Sequence, residues 1–137
     1  MKLPPEAQSA FIVCTFSMLG KMAAADGNIS SPETKKVESY LDSKLSVDRK
    51  TRELALKTYR NAFDSPLELR DYAEKLALSH GDRFGLRDSI VEALLEVSLA
   101  DGVLDTEEER LLRSAALLLG MSPPAFENLK QKVLSAN

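Results

Sequence analysis

Apolar positions along this chain recur at intervals of three and four, not two. Phe11, Cys14, Thr15, Met18, Leu19 and Met22 share one helical face, and the spacing predicts a helix from about Pro5 to Ala25. Pro4 and Pro5 sit where a first helical turn tolerates proline, and Gly27 supplies the left-handed residue that ends a helix. Ser30-Ser31-Pro32-Glu33 carries the start grammar of a second helix, with a cap, an early proline and a glutamate that reaches back, and its stripe is Val37, Tyr40 and Leu41. A third helix is expected over about Ser46 to Phe63, with Leu54, Ala55, Thr58, Tyr59 and Phe63 inward. Ser65-Pro66-Leu67-Glu68 repeats the start grammar for a fourth, ending near Ser79. After the break at His80–Gly85, a fifth runs over about Leu86 to Ala100 on Ile90, Val91, Leu94, Leu95 and Val97. Asp105 caps a sixth that Gly120 terminates, and Ser122-Pro123-Pro124 opens a seventh carrying Phe126, Leu129 and Val133. No stretch has the alternating, β-branched pattern of a half-buried strand. The expectation is an all-α bundle of about seven helices.

The chain also repeats itself. Ala25-Asp26-Gly27-Asn28-Ile29-Ser30-Ser31-Pro32-Glu33 aligns with Ala100-Asp101-Gly102-Val103-Leu104-Asp105-Thr106-Glu107-Glu108, each after an apolar helix. The register extends outward, Leu19 matching Leu94, Met22 matching Val97 and Val37 matching Leu112. Two copies are too few for a solenoid and predict two pseudo-symmetric helix-loop-helix units around a shared core.

Calcium is the first chemistry these loops suggest. Gly27 at the glycine of an EF-hand loop places Asp26 before it and Glu33 at the bidentate position, and Gly102, Asp101 and Glu108 fall likewise. The first and third ligand positions then land on Met22 and Ala24, and on Val97 and Leu99. A hard cation wants about six or more oxygens, so a standard EF-hand is excluded. The same letters also make a simple helix-loop-helix corner, with a glycine stop, an apolar plug and a capping box. Against that reading, Asp26 and Asp101 each stand at a helix C-terminus, where a carboxylate is disfavoured by the helix dipole. Hydrogen bonds to following backbone N–H groups, a partner, or a cation would each offset this.

The paired A-D-G motifs resemble those of the tellurite-resistance TerB-like family. The second copy, from Leu94 through Glu108, Leu111 and Leu112 to Leu118-Leu119-Gly120-Met121-Ser122, is similar to the TerB-like N-terminal domain of DjlA-type DnaJ co-chaperones. The likeness covers about residues 8 to 134 and implies one helical domain over 1–137, a protein partner, and a link to tellurite or stress resistance. It also implies a divalent cation as possible cofactor, its candidate ligands being Asp26, Glu33, Asp101 and Glu108. One departure stands out: the His-Pro-Asp tripeptide of a J domain is missing, since Gly81 follows His80. Stimulation of an Hsp70-type ATPase is therefore not expected of these residues, and neither is the membrane segment typical of DjlA.

Composition narrows the rest. The 137 residues carry 18 Lys and Arg against 21 Asp and Glu, a net charge of -3, so a whole-domain basic footprint for nucleic acid is not expected. Cys14, the one cysteine, falls on an apolar helix face and reads as a small hydrophobe. His80, the one histidine, reads as a loop residue near a helix end. Lys44, Arg49, Lys50, Arg52, Lys57 and Arg60 form a basic run broken by Asp48 and Glu53, while Asp101, Asp105, Glu107, Glu108 and Glu109 form an acidic pole. Solvated faces account for both, the alternatives being docking of a charged partner and, for the basic run, weak nucleic-acid contact by counterion release. Phosphate-loop, zinc-protease and nucleophile-elbow signatures do not occur. With no secretory leader and no long apolar run, the sequence points to a cytoplasmic, non-enzymatic interaction module, with a cation-binding stress protein as alternative.

Overall fold

The computed structural model describes residues 3–25, 31–81, 83–100 and 104–136, and for residues 31, 32 and 84 the backbone alone. Seven α-helices appear among them and no strand: α1 (Pro5–Ala25), α2 (Ser31–Ser39), α3 (Arg49–Asp64), α4 (Leu69–Ser79), α5 (Leu86–Ser98), α6 (Thr106–Leu118) and α7 (Pro123–Ala136). The all-α expectation is met. The two bends at 26–30 and 101–103 lie outside the described residues.

Helix α1 is the axle. Phe11, Ile12 and every residue from Cys14 to Gly20 are buried, so its middle is covered on nearly all sides and only Val13 there stays exposed. It packs on α3, α4, α5 and α6. The α3 contact is the tightest, and Gly20 permits it. A β-carbon there would lie 2.8 Å from Ala62 Cβ and would overlap the Tyr59 carbonyl. The α3 residues turned inward are accordingly Ala55, Leu56, Tyr59 and Ala62. Leu54, expected in the core, is 44% exposed, because small side chains are what a close helix crossing admits.

Helix starts follow local hydrogen bonding and correct two expected boundaries. Helix α3, expected from about Ser46, starts after Asp48, which caps it, its Oδ1 accepting the Thr51 N–H at 2.8 Å. Ser65 does not cap α4; its Oγ accepts the Leu67 N–H in a local turn, and the helix begins one turn later, where Asp71 Oδ2 accepts the Glu68 N–H at 2.8 Å. Asp105 caps α6 as expected, accepting the Glu108 N–H at 2.7 Å. Gly120, at φ +95°, closes α6 as a Schellman turn, the Met121 and Gly120 N–H groups donating to the Ala116 and Leu117 carbonyls. Beyond Ser39, α2 runs on into a π-helical turn, Tyr40–Leu45, that stops at the left-handed Ser46.

Candidate functional site

The two sequence copies meet at a small cavity of about 50 Å³. Helix α1 contributes Leu19, Met22 and Ala23, α2 contributes Glu33, Lys36 and Val37, α5 contributes Val97 and Ser98, and α6 contributes Glu108 and Leu111. Tyr59 of α3 also lines it. Matched positions of the two copies thus face one space: Met22 and Val97, Ala23 and Ser98, Glu33 and Glu108. At the next matched position the copies differ, Lys36 bringing a cation where Leu111 brings a methyl surface.

Both glutamates are half-buried. Glu108 takes its place because Asp105 holds its backbone N–H in the first turn of α6. Tyr59 reports on the other side. It is 2% exposed, and its hydroxyl is pushed up to about 12, first by burial and then by the negative charge of Glu33, with a hydrogen bond to Thr34 opposing. Of the four candidate ligands, Glu33 and Glu108 come together on this cavity, while Asp26 and Asp101 lie outside the described residues. Among the described residues no three Asp, Glu, His or Cys side chains converge as a metal centre requires. Two carboxylates and the Ser98 hydroxyl fall short of a hard cation's oxygen shell, and Lys36 competes for the same charge. Lys36, Ser98 and Tyr59 were missed as lining residues; carrying the repeat register beyond its A-D-G letters would have found Ser98, opposite Ala23.

The other candidates have structural occupations. Cys14 is 4% exposed and burial pushes its thiol up to about 12, which makes it a hydrophobe. His80 is the C-cap of α4, its Nδ1 2.9 Å from Ser79 Oγ. Arg52 of the basic run donates to Glu38 at 2.8 Å and to Asp42 at 2.9 Å, tying α3 to α2 and the π turn. Much of the acidic pole is likewise spoken for. Glu107 pairs with Arg110 within α6, while Glu109 pairs with Lys130 and Arg113 reaches Glu127 at 2.7 Å, and these last two fasten α6 to α7.

An all-α module with an axle helix and one small cavity shared by two motif glutamates is the class that fold and site define. The chain matches the family described as tellurite resistance protein TerB over residues 13–131, and it belongs to that family. It is also similar to the co-chaperone protein DjlA of Haemophilus ducreyi, at 28% identity over 129 residues, 94% of this chain and 45% of that protein. DjlA of Vibrio parahaemolyticus is 25% identical over 90% of this chain and 43% of its own length, and DjlA of Pasteurella multocida 26% over 89% and 42%. The chain therefore spans somewhat under half the length of these relatives. No solved structure matches it. Among the described residues no helix is long and apolar enough to cross a membrane.

Proposed function

We propose that this chain is a non-enzymatic, cytoplasmic interaction module of TerB type, acting as the accessory domain of a DnaJ-like co-chaperone. The observation that carries this reading is the coverage of the DjlA matches, which take in nearly all of this chain and less than half of each relative. A match that takes in this chain almost end to end, at under half of each relative's length, is what an accessory domain of such a protein would give. The test is a domain exchange. Replacing the matching region of the Haemophilus ducreyi DjlA by this chain should preserve that protein's co-chaperone output, where deleting the region lowers it. An exchange no better than the deletion overturns the reading.

A second reading, a divalent cation held by the motif carboxylates, is favoured by one observation: Glu33 and Glu108 line the same cavity. Asp26 and Asp101 would have to complete the oxygen shell. An ion at a hundred times its dissociation constant adds about 2.7 kcal/mol to stability. Melting with Ca²⁺, Mg²⁺, Mn²⁺ or Zn²⁺ should then move upward by several degrees, and Glu33→Gln with Glu108→Gln should abolish the shift. Identical transitions with every ion remove this reading.

A further inference from the structure

A second concavity adjoins the first at Lys36, and no motif pointed to it. A trough of about 640 Å³ runs beside α5, past Gly85, Asp88, Glu92 and Glu96, with the π turn as its opposite wall. It continues into a hollow of about 420 Å³ that reaches Leu99 and Ala100. Tyr40, Lys44 and Glu96 line both stretches. From Gly85 to Ala100 the path is roughly 20 Å at the rise of a helix.

Three features of its lining call for a cation. Asp88, Glu92 and Glu96 are four residues apart on α5, which sets like charges about 6 Å from one another along one edge. Glu92 has Lys132 at 3.7 Å and Asp88 has Arg87 at 3.6 Å, but Glu96 has no ion pair among the described residues. Burial, then the charge of Glu92, raise the Glu96 carboxyl above the usual carboxylate range, and Lys44 and Lys132 offset this only in part. The second feature is a phenol. Tyr40 is 7% exposed and lines both stretches of the trough beside Glu96. Burial, then the negative charges of Glu96 and Glu92, push its hydroxyl up. The third is the floor, where Phe11, Tyr40 and Ala93 present carbon to whatever lies above. A π-helical turn, a departure from regular helix often kept at functional sites, places Tyr40 and Lys44 here.

We propose that this trough docks a partner helix with basic side chains four residues apart, one Lys or Arg seated between Glu92 and Glu96 over Tyr40. The stem of such a side chain covers the apolar floor while its head takes the unpaired carboxylate and the phenol oxygen. Basic residues at helical spacing of four match the 6 Å period of the acidic edge, and the length suits a polypeptide better than a single small amine. This inference rests on the interaction-module reading and names the chemistry of its partner.

The test is fluorescence anisotropy of a labelled fifteen-residue amphipathic helical peptide, with three lysines four residues apart, titrated with the full chain. Saturable binding is expected, weakening with salt and with acidification as Glu96 takes its proton. Glu92→Gln and Glu96→Gln should each weaken it about tenfold, the loss of one charge-assisted contact. Tyr40→Phe should weaken it less, and Glu74→Gln on α4 should leave it unchanged. Melting of each variant confirms that it is folded. Absence of saturable binding overturns the proposal, as does equal weakening by Glu74→Gln, which would mean general charge attraction. Displacement of the peptide by an equal concentration of spermine also overturns it, in favour of a small-amine site. A domain exchange that works alongside a peptide that does not bind would locate the error in this surface; the reverse result would locate it in the co-chaperone reading.

Discussion

Single side chains in this protein are decided by whether their polar atoms are satisfied. Thr15 is fully buried in α1 and its hydroxyl has no hydrogen-bond partner among the described residues. A buried donor without a partner costs about 1–3 kcal/mol, and valine keeps the shape without the oxygen. Thr15→Val should therefore leave stability unchanged or raise it by about 1 kcal/mol in urea unfolding, and a clear loss would show that the hydroxyl is bonded. Glu96 poses the matching question for charge. Its folded-state pKa is raised, so the folded chain holds this proton more tightly than the unfolded chain does. The associated destabilisation is absent below the ordinary glutamate range and develops as pH rises through the raised value. Melting curves from pH 4 to 8 should show Glu96→Gln at or above the parent at pH 7, with the gap closing toward pH 4. A gap that widens on acidification contradicts the sign.

Helix ends and helix crossings were legible to different degrees. Asp105 and Gly120 announce a start and a stop with backbone chemistry contained in a few neighbouring residues, and both stand where the sequence reading placed them. Ser65 carried the same kind of signal and lost to a competitor close by, the Glu68–Asp71 pair, and the start expected near Ser46 falls instead at Asp48, whose carboxylate satisfies the first turn. The inward face of α3 was less accessible still. Periodicity admitted Leu54 and Phe63, but which stripe turns in depends on Gly20, a residue of another helix. Gly20→Ala gains up to about 1 kcal/mol in helix propensity. It also overpacks a contact that has no room, which costs about 1–3 kcal/mol. Chemical denaturation should find the variant less stable, and an increase would mean that α1 and α3 are not in close contact.

On the scale of the whole molecule, the repeat becomes an arrangement in space. Glu33 and Glu108 belong to separate copies and line one cavity, with Lys36 beside them. Groups that share a buried space do not act independently. Glu33→Gln and Glu108→Gln should therefore be non-additive by about 0.5 kcal/mol or more in a double-mutant cycle, whereas Glu33→Gln with Glu74→Gln should add simply. Strict additivity of the first pair would separate the two motifs energetically. The acidic pole shows the converse. It reads as one patch in the sequence, yet Lys130 and Arg113 divide Glu109 and Glu127 between them at the α6–α7 seam.

The amino-acid sequence alone determined the helical class, most helix ends and the inward stripe of α1 from Phe11 to Met22. Caps, glycine stops and 3.6-residue periodicity act over three to five neighbouring positions, and that range is contained in the chain itself. Tertiary structure alone decided that Glu33 faces the same cavity as Glu108, that α3 turns its alanines inward, and that Tyr40 lines one trough with the carboxylates of α5. Those outcomes depend on helix crossings between residues far apart in the chain, where the shape and volume of one surface select the face of the other.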